Sequence, residues 1–136
     1  MDAPPPLFVA AVAVVIRREG TVLAMRRART KDAGAGLWET LSGRVEAGED
    51  PLETARREVR EECGLRVAFE ARPLTAYTAT RLDHPMIVLV YAADYRCGEV
   101  TLSAEHDAYA WLTPEAFAAR TPLAKLAAAV RLALSR

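Results

Sequence analysis

Residues 50–64 constrain the fold more than any other part of this chain. Asp50-Pro51-Leu52-Glu53 stacks three helix-start signals: a carboxylate at the N-cap, proline at the first helical position, and an acid three residues after the cap. Gly64 supplies the stop. Projected at about 100° per residue, Leu52, Ala55, Val59 and Cys63 form one narrow apolar stripe that must lie on a core. Glu58, Glu61 and Glu62 share an arc of about 100° beside it. Glu58 and Glu62 are like charges at i,i+4 near the helix C-terminus, where both their repulsion and the macrodipole oppose them. One account is a solvated face, with Arg56, Arg57 and Arg60 pairing the acids. The other is a hard divalent cation held by convergent oxygens.

The rest of the chain reads as strands around this helix. Residues 8–17 and 21–27 form a hairpin across Arg18-Glu19-Gly20, and residues 31–36 form a loop. Residues 37–45 enter the sheet and leave it at Gly43, and residues 46–49 turn into the helix. Residues 65–77 and 86–95 are strand-like, with Asp83-His84-Pro85 as the turn before the second, and residues 108–112 form a short strand. Thr113-Pro114-Glu115 opens a short helix, and residues 123–134 form a terminal amphipathic one. Helices alternating with strands give an α/β or α+β class.

Composition narrows the function. With 136 residues and 51% hydrophobic content the chain is sized for one domain over 1–136, residues 1–6 being a frayed start. Lys plus Arg equal Asp plus Glu at 18 each, so no basic excess drives binding to a nucleic-acid polymer. Cys63 and Cys97 make no disulfide framework or metal-ligand spacing, which fits a reducing, cytoplasmic setting. The apolar run 8–16 is far short of the roughly 20 residues that span a bilayer, so no membrane partner is expected.

Residues 43–65 read Gly43, five residues, Glu49, seven residues, Arg57-Glu58, Val59, Arg60, Glu61-Glu62, Cys63, Gly64-Leu65. This resembles the Nudix box at every position. Strands before the box, a loop-helix-loop, strands after it and a terminal helix are also similar to the family's α/β/α sandwich with a mixed sheet.

The resemblance implies an Mg²⁺- or Mn²⁺-dependent hydrolase acting on a small nucleotide. Water attacks phosphorus in the pyrophosphate link of a nucleoside diphosphate joined to another group. The alternative substrate is a modified nucleoside triphosphate of the 8-oxo-dGTP type, and a further one a nucleotide-sensing module without turnover. It implies Glu58, Glu61 and Glu62 as metal ligands, with the Gly43 carbonyl beside them. Glu61 also stands as a rival base, and Arg57 should hold Glu49 or Glu61 in line. The family often places its general base on a later loop, where Ser103-Ala104-Glu105-His106-Asp107 offers Glu105 as either metal ligand or base, with His106 and Asp107 behind it. A homodimer is compatible with the family.

Candidate substrate contacts are Arg27 and Arg44 for phosphate, and Trp38 and Tyr77 for stacking on a base, with His84 a weaker candidate. Two departures stand out. Where many members read Pro-Gly-Gly, this chain reads Leu41-Ser42-Gly43-Arg44. The position that marks substrate subclass in some members, about sixteen residues past the box, is Arg81, so the sequence assigns no subclass.

Overall fold

The computed structural model describes residues 3–29 and 34–136. Met1, Asp2 and residues 30–33, which include the first half of the expected loop, lie outside the described residues. The chain runs β1 (Val9–Arg18), β2 (Thr21–Arg27), β3 (Trp38–Glu39), β4 (Leu41–Arg44), α1 (Pro51–Glu62), β5 (Arg66–Phe69), β6 (Thr75–Arg81), β7 (His84–Cys97), β8 (His106–Leu112), α2 (Pro114–Arg120) and α3 (Ala124–Leu134).

One mixed eight-stranded sheet holds these elements together. Its spine is the parallel pair β1 and β7, in register from Val9↔Met86 to Arg17↔Asp94. The far edge of β7 is shared by β6 and β5, and that of β1 by β4 and the tip of β2. Beyond, β2 pairs antiparallel with both β3 and β8.

The sheet is buried on both faces because β1 alternates small and large apolar residues with the period of two that a strand imposes. Ala11, Ala13 and Val15 point to a core under α2 and α3 with Phe117, Leu126 and Val130. Val12, Val14 and Ile16 point to a second core under α1, with Ala55, Val59 and Cys63. The arrangement is the expected α/β/α sandwich.

Four local expectations are corrected. Residues 65–77 form two strands rather than one, since β5 and β6 pair with different halves of β7. The turn before β7 is Leu82-Asp83, both at positive φ, and His84 and Pro85 already lie in the strand. The sheet is left after Arg44 rather than at Gly43. Asp50 occupies the N-cap but makes no side-chain cap bond. The preceding residue, Glu49, ties the turn to the helix, accepting from Thr54 Oγ1 at 2.6 Å and from the Glu46 N–H at 3.2 Å.

Candidate active site

The site lies where α1 presses its acidic side onto β4. Gly43 is the closest point of approach: a Cβ built there would land on the Glu58 carboxyl group. Only glycine lets that carboxylate lie against the strand's backbone.

The acidic arc divides in two. Glu58 and Glu62 are 7% and 6% exposed, so the helix turns them inward. The Glu61 side chain stays 59% exposed. Burial pushes the Glu62 carboxyl up to about 9, helped by a hydrogen bond with Glu58 and by the charges of Glu58, Glu39 and Glu105. Burial and the neighbouring Glu58 thus favour the protonated form of Glu62. Among the described residues, Glu62 Oε2 is buried without a hydrogen-bond partner.

Arg57 ties the loop before the helix to this arc. Its Nε and Nη2 donate to Glu49 Oε2 and Oε1 at 2.9 and 3.1 Å, a bidentate clasp. Nη1 donates to Glu58 Oε1 at 2.8 Å and to Glu61 Oε2 at 3.3 Å, and Nη2 also reaches the Arg44 carbonyl at 3.2 Å. The guanidinium holds the Glu49 carboxyl down to about 2, and Thr54 adds a second hydrogen bond.

Beside the arc is a buried cluster that the motif does not contain. Glu39 Oε2 accepts from Arg27 Nη1 at 3.2 Å and stands 2.9 Å from His106 Nε2. All three residues are buried. Sequence reasoning passed over Glu39. Its signal was a lone carboxylate in the otherwise uncharged run Leu37-Trp38-Glu39-Thr40-Leu41. Arg27, expected to contact phosphate, is thus buried in an ion pair with Glu39.

Glu105 precedes β8, with its carbonyl accepting from the Ala28 N–H at 2.9 Å and its own N–H donating to Ser103 Oγ at 3.2 Å. Asp107 pairs with Arg26 at 2.7 Å. Arg44 is exposed at the end of β4. Trp38 and Tyr77 are half-buried and pack on the core beneath α2 and α3, and Arg120 covers the Trp38 ring at 5.2 Å. His84 is exposed at the start of β7. Cys63 is fully buried, and burial pushes its thiol up to about 11, as for an inert core residue.

Among the described residues no three His, Cys, Asp or Glu side chains stand ready to hold a metal ion in their present rotamers. The donors nevertheless suit a hard cation. Two buried carboxylates face one another, one oxygen of Glu62 is orphaned, and the neighbouring strand has a glycine where any Cβ would fill the space. A divalent ion would replace the proton on Glu62 and satisfy that oxygen.

The comparisons agree with this geometry. The NUDIX domain model matches residues 6–133, and the chain belongs to the Nudix hydrolase family. An octanoyltransferase of Myxococcus xanthus is 35% identical over 139 residues, covering 98% of this chain and 38% of that protein, so the chain spans under two fifths of that relative. The CTP pyrophosphohydrolase of Escherichia coli K12 is 35% identical over 107 residues, covering 76% of this chain and 75% of that one. The crystal structure of a MutT protein from Methanosarcina mazei superposes with a TM-score of 0.84 at 26% identity, covering 96% of both chains. Among the described residues no helix is long and apolar enough to cross a membrane.

Proposed function

We propose that residues 1–136 form a single cytoplasmic Nudix domain that hydrolyses a phosphoanhydride bond of a small nucleotide, using Mg²⁺ or Mn²⁺. The observation that carries this is the pair of buried carboxylates, Glu58 and Glu62, packed against Gly43 with one oxygen unpartnered among the described residues. A buried acid pair of this kind is costly to the apoprotein and suited to a divalent cation.

Glu58 and Glu62 would hold the metal, with the Gly43 carbonyl beside them. A divalent ion bound there would supply charge neutralisation for phosphate and a water of lowered pKa. Arg57 positions Glu49, Glu58 and Glu61 through the hydrogen bonds described above. Glu61, exposed at the rim beside Arg57, would orient water or a further ion. Glu105 would add a further carboxylate to the metal or take the proton of the attacking water. Arg44, exposed at the end of β4, meets substrate phosphate.

The sequence reading put a nucleoside diphosphate derivative first. The likeness to an enzyme named CTP pyrophosphohydrolase, across three quarters of that protein, brings the nucleoside triphosphate class forward. Its cleavage would give a nucleoside monophosphate and pyrophosphate.

The test is product release from a panel containing normal and oxidised nucleoside triphosphates, dinucleoside polyphosphates, ADP-ribose, nucleotide sugars and coenzyme A. Wild type is compared with Glu62→Gln. Metal-dependent turnover of one class, absent in the variant, supports the hydrolase and names its substrate. Nucleotide binding without turnover across the panel would overturn it in favour of a sensing module.

A further inference from the structure

His106 has no place in the box, yet it is the best-buried ionisable side chain in the segment that presents Glu105. Its residue exposure is 3% and its side chain's 1%, whereas Asp107 is exposed. The cause is a register shift between β2 and β8. Arg26 faces Ala108 and Arg27 faces His106, which leaves Asp107 as the extra residue of a bulge. The bulge turns the imidazole inward, beside Arg27 and within 2.9 Å of Glu39 on β3. Three adjacent strands thus converge on one oxygen, Glu39 Oε2, which also receives Arg27 Nη1 at 3.2 Å.

The tautomer follows from the surroundings. His106 Nδ1 is buried and has no hydrogen-bond partner among the described residues, so a proton there would be an unsatisfied donor. Nε2 carries the proton and donates to Glu39. This bond anchors β8 immediately after Glu105, whose backbone is already held by Ala28 and Ser103.

We propose that His106 is a positioning residue: by donating to Glu39 it fixes the start of β8 and so aims the Glu105 carboxylate at the acids of α1. This rests on the metal-site reading above.

The experiment is Mn²⁺ binding to the full chain, followed by the electron paramagnetic resonance of free Mn²⁺, for wild type, Glu62→Gln, His106→Leu and His106→Gln, alongside melting curves. It needs no substrate. His106→Leu should weaken binding by about 10-fold or more, the range for residues that orient metal ligands, while still melting cooperatively. His106→Gln, which restores an N–H at similar reach, should come back to within about 3-fold of wild type. Wild-type affinity in a folded His106→Leu, or equal failure of Leu and Gln at equal stability, would overturn the proposal. If only Glu62→Gln loses binding, the proposal falls and the metal reading stands. If the wild type does not bind Mn²⁺, both fall.

Should His106→Leu fail to fold, ¹⁵N spectra of the wild-type imidazole decide. A proton on Nε2, lost as the preferred tautomer in Glu39→Ala, which removes the acceptor, supports the proposal, and a proton on Nδ1 overturns it. With a substrate in hand, His106→Leu should lower kcat more than it raises KM, a split that a general loss of stability does not produce.

Discussion

Arg57 and Glu49 meet in a bidentate clasp across eight residues of sequence, at 2.9 and 3.1 Å. The bond joins the loop before α1 to the turn that carries Glu58 and Glu61. Lysine keeps the charge but cannot reproduce the planar fork. Arg57→Lys should therefore lower kcat by about 10- to 100-fold with a cooperative melt retained. Near-wild-type kcat in single-turnover assays would show that the clasp does not order the acids.

Because Arg57 holds the Glu49 carboxyl down to about 2, folding favours its ionised form. The stability it contributes is present above the unfolded value of about 4.5 and is lost as pH falls towards 2. Glu49→Gln should narrow its gap to wild type across that window in acid melts. A constant gap from pH 7 down to pH 2 would contradict the linkage.

Glu62 has the opposite sign. With its carboxyl raised to about 9, the fold favours the protonated form, and that stability is complete below the unfolded value of about 4.5. It is lost as pH rises through about 9. In metal-free buffer Glu62→Gln should gain melting temperature relative to wild type as pH rises through this window. Saturating Mg²⁺ should reverse the order, because a ligand at 100 times its Kd stabilises the native state by about 2.7 kcal/mol. Below pH 9 the binding should also release protons, measurable by calorimetry in buffers of different ionisation enthalpy. Identical pH dependence in the two proteins would refute the assignment of this titration.

Much of this arrangement was legible because it is local. Pro51 and Gly64 bracket α1 through backbone rules that act within a turn, and the 100° rotation per residue put Glu58 and Glu62 on one side before any tertiary contact was known. Periodicity could not tell which of three neighbouring acids the core would bury. That depends on β4, whose glycine admits Glu58, while Arg57 retains Glu61 at the rim. Glu39 escaped for the same reason, as did its pairing with His106, which the sequence offers only as a runner-up to Glu105. They lie far apart in sequence, on a two-residue strand and beside a bulge, and only strand pairing brings them within 2.9 Å. The single long strand expected over 65–77 failed because β-propensity cannot show that β7 accepts two different partners along one edge.

Gly64 tests the helix stop apart from the chemistry. Its φ is +71°, and a Cβ there would meet only Thr101 Cβ, at 4.0 Å. Space is ample, so a substitution costs backbone strain alone. Gly64→Val should destabilise the fold by about 1–2 kcal/mol, the cost of a β-branched residue in the left-handed region. Metal affinity and kcat should stay close to wild type below the melting transition. An unchanged melting temperature would mean that the helix can end another way.

Gly43 supplies the converse case. Its backbone is not in the left-handed region, and the obstacle is the Glu58 carboxyl group, which occupies the place of a Cβ. Gly43→Ala must push that carboxylate away or move β4 from β1, where Gly43 is the register partner of Val12. Overpacking of this kind costs about 1–3 kcal/mol. The loss in Mn²⁺ affinity and turnover should exceed what the stability change explains, because the displaced group is itself a proposed ligand. Circular dichroism melts and Mn²⁺ titration of the one variant separate the two effects. Lowered stability with unaltered affinity would place the metal away from Glu58.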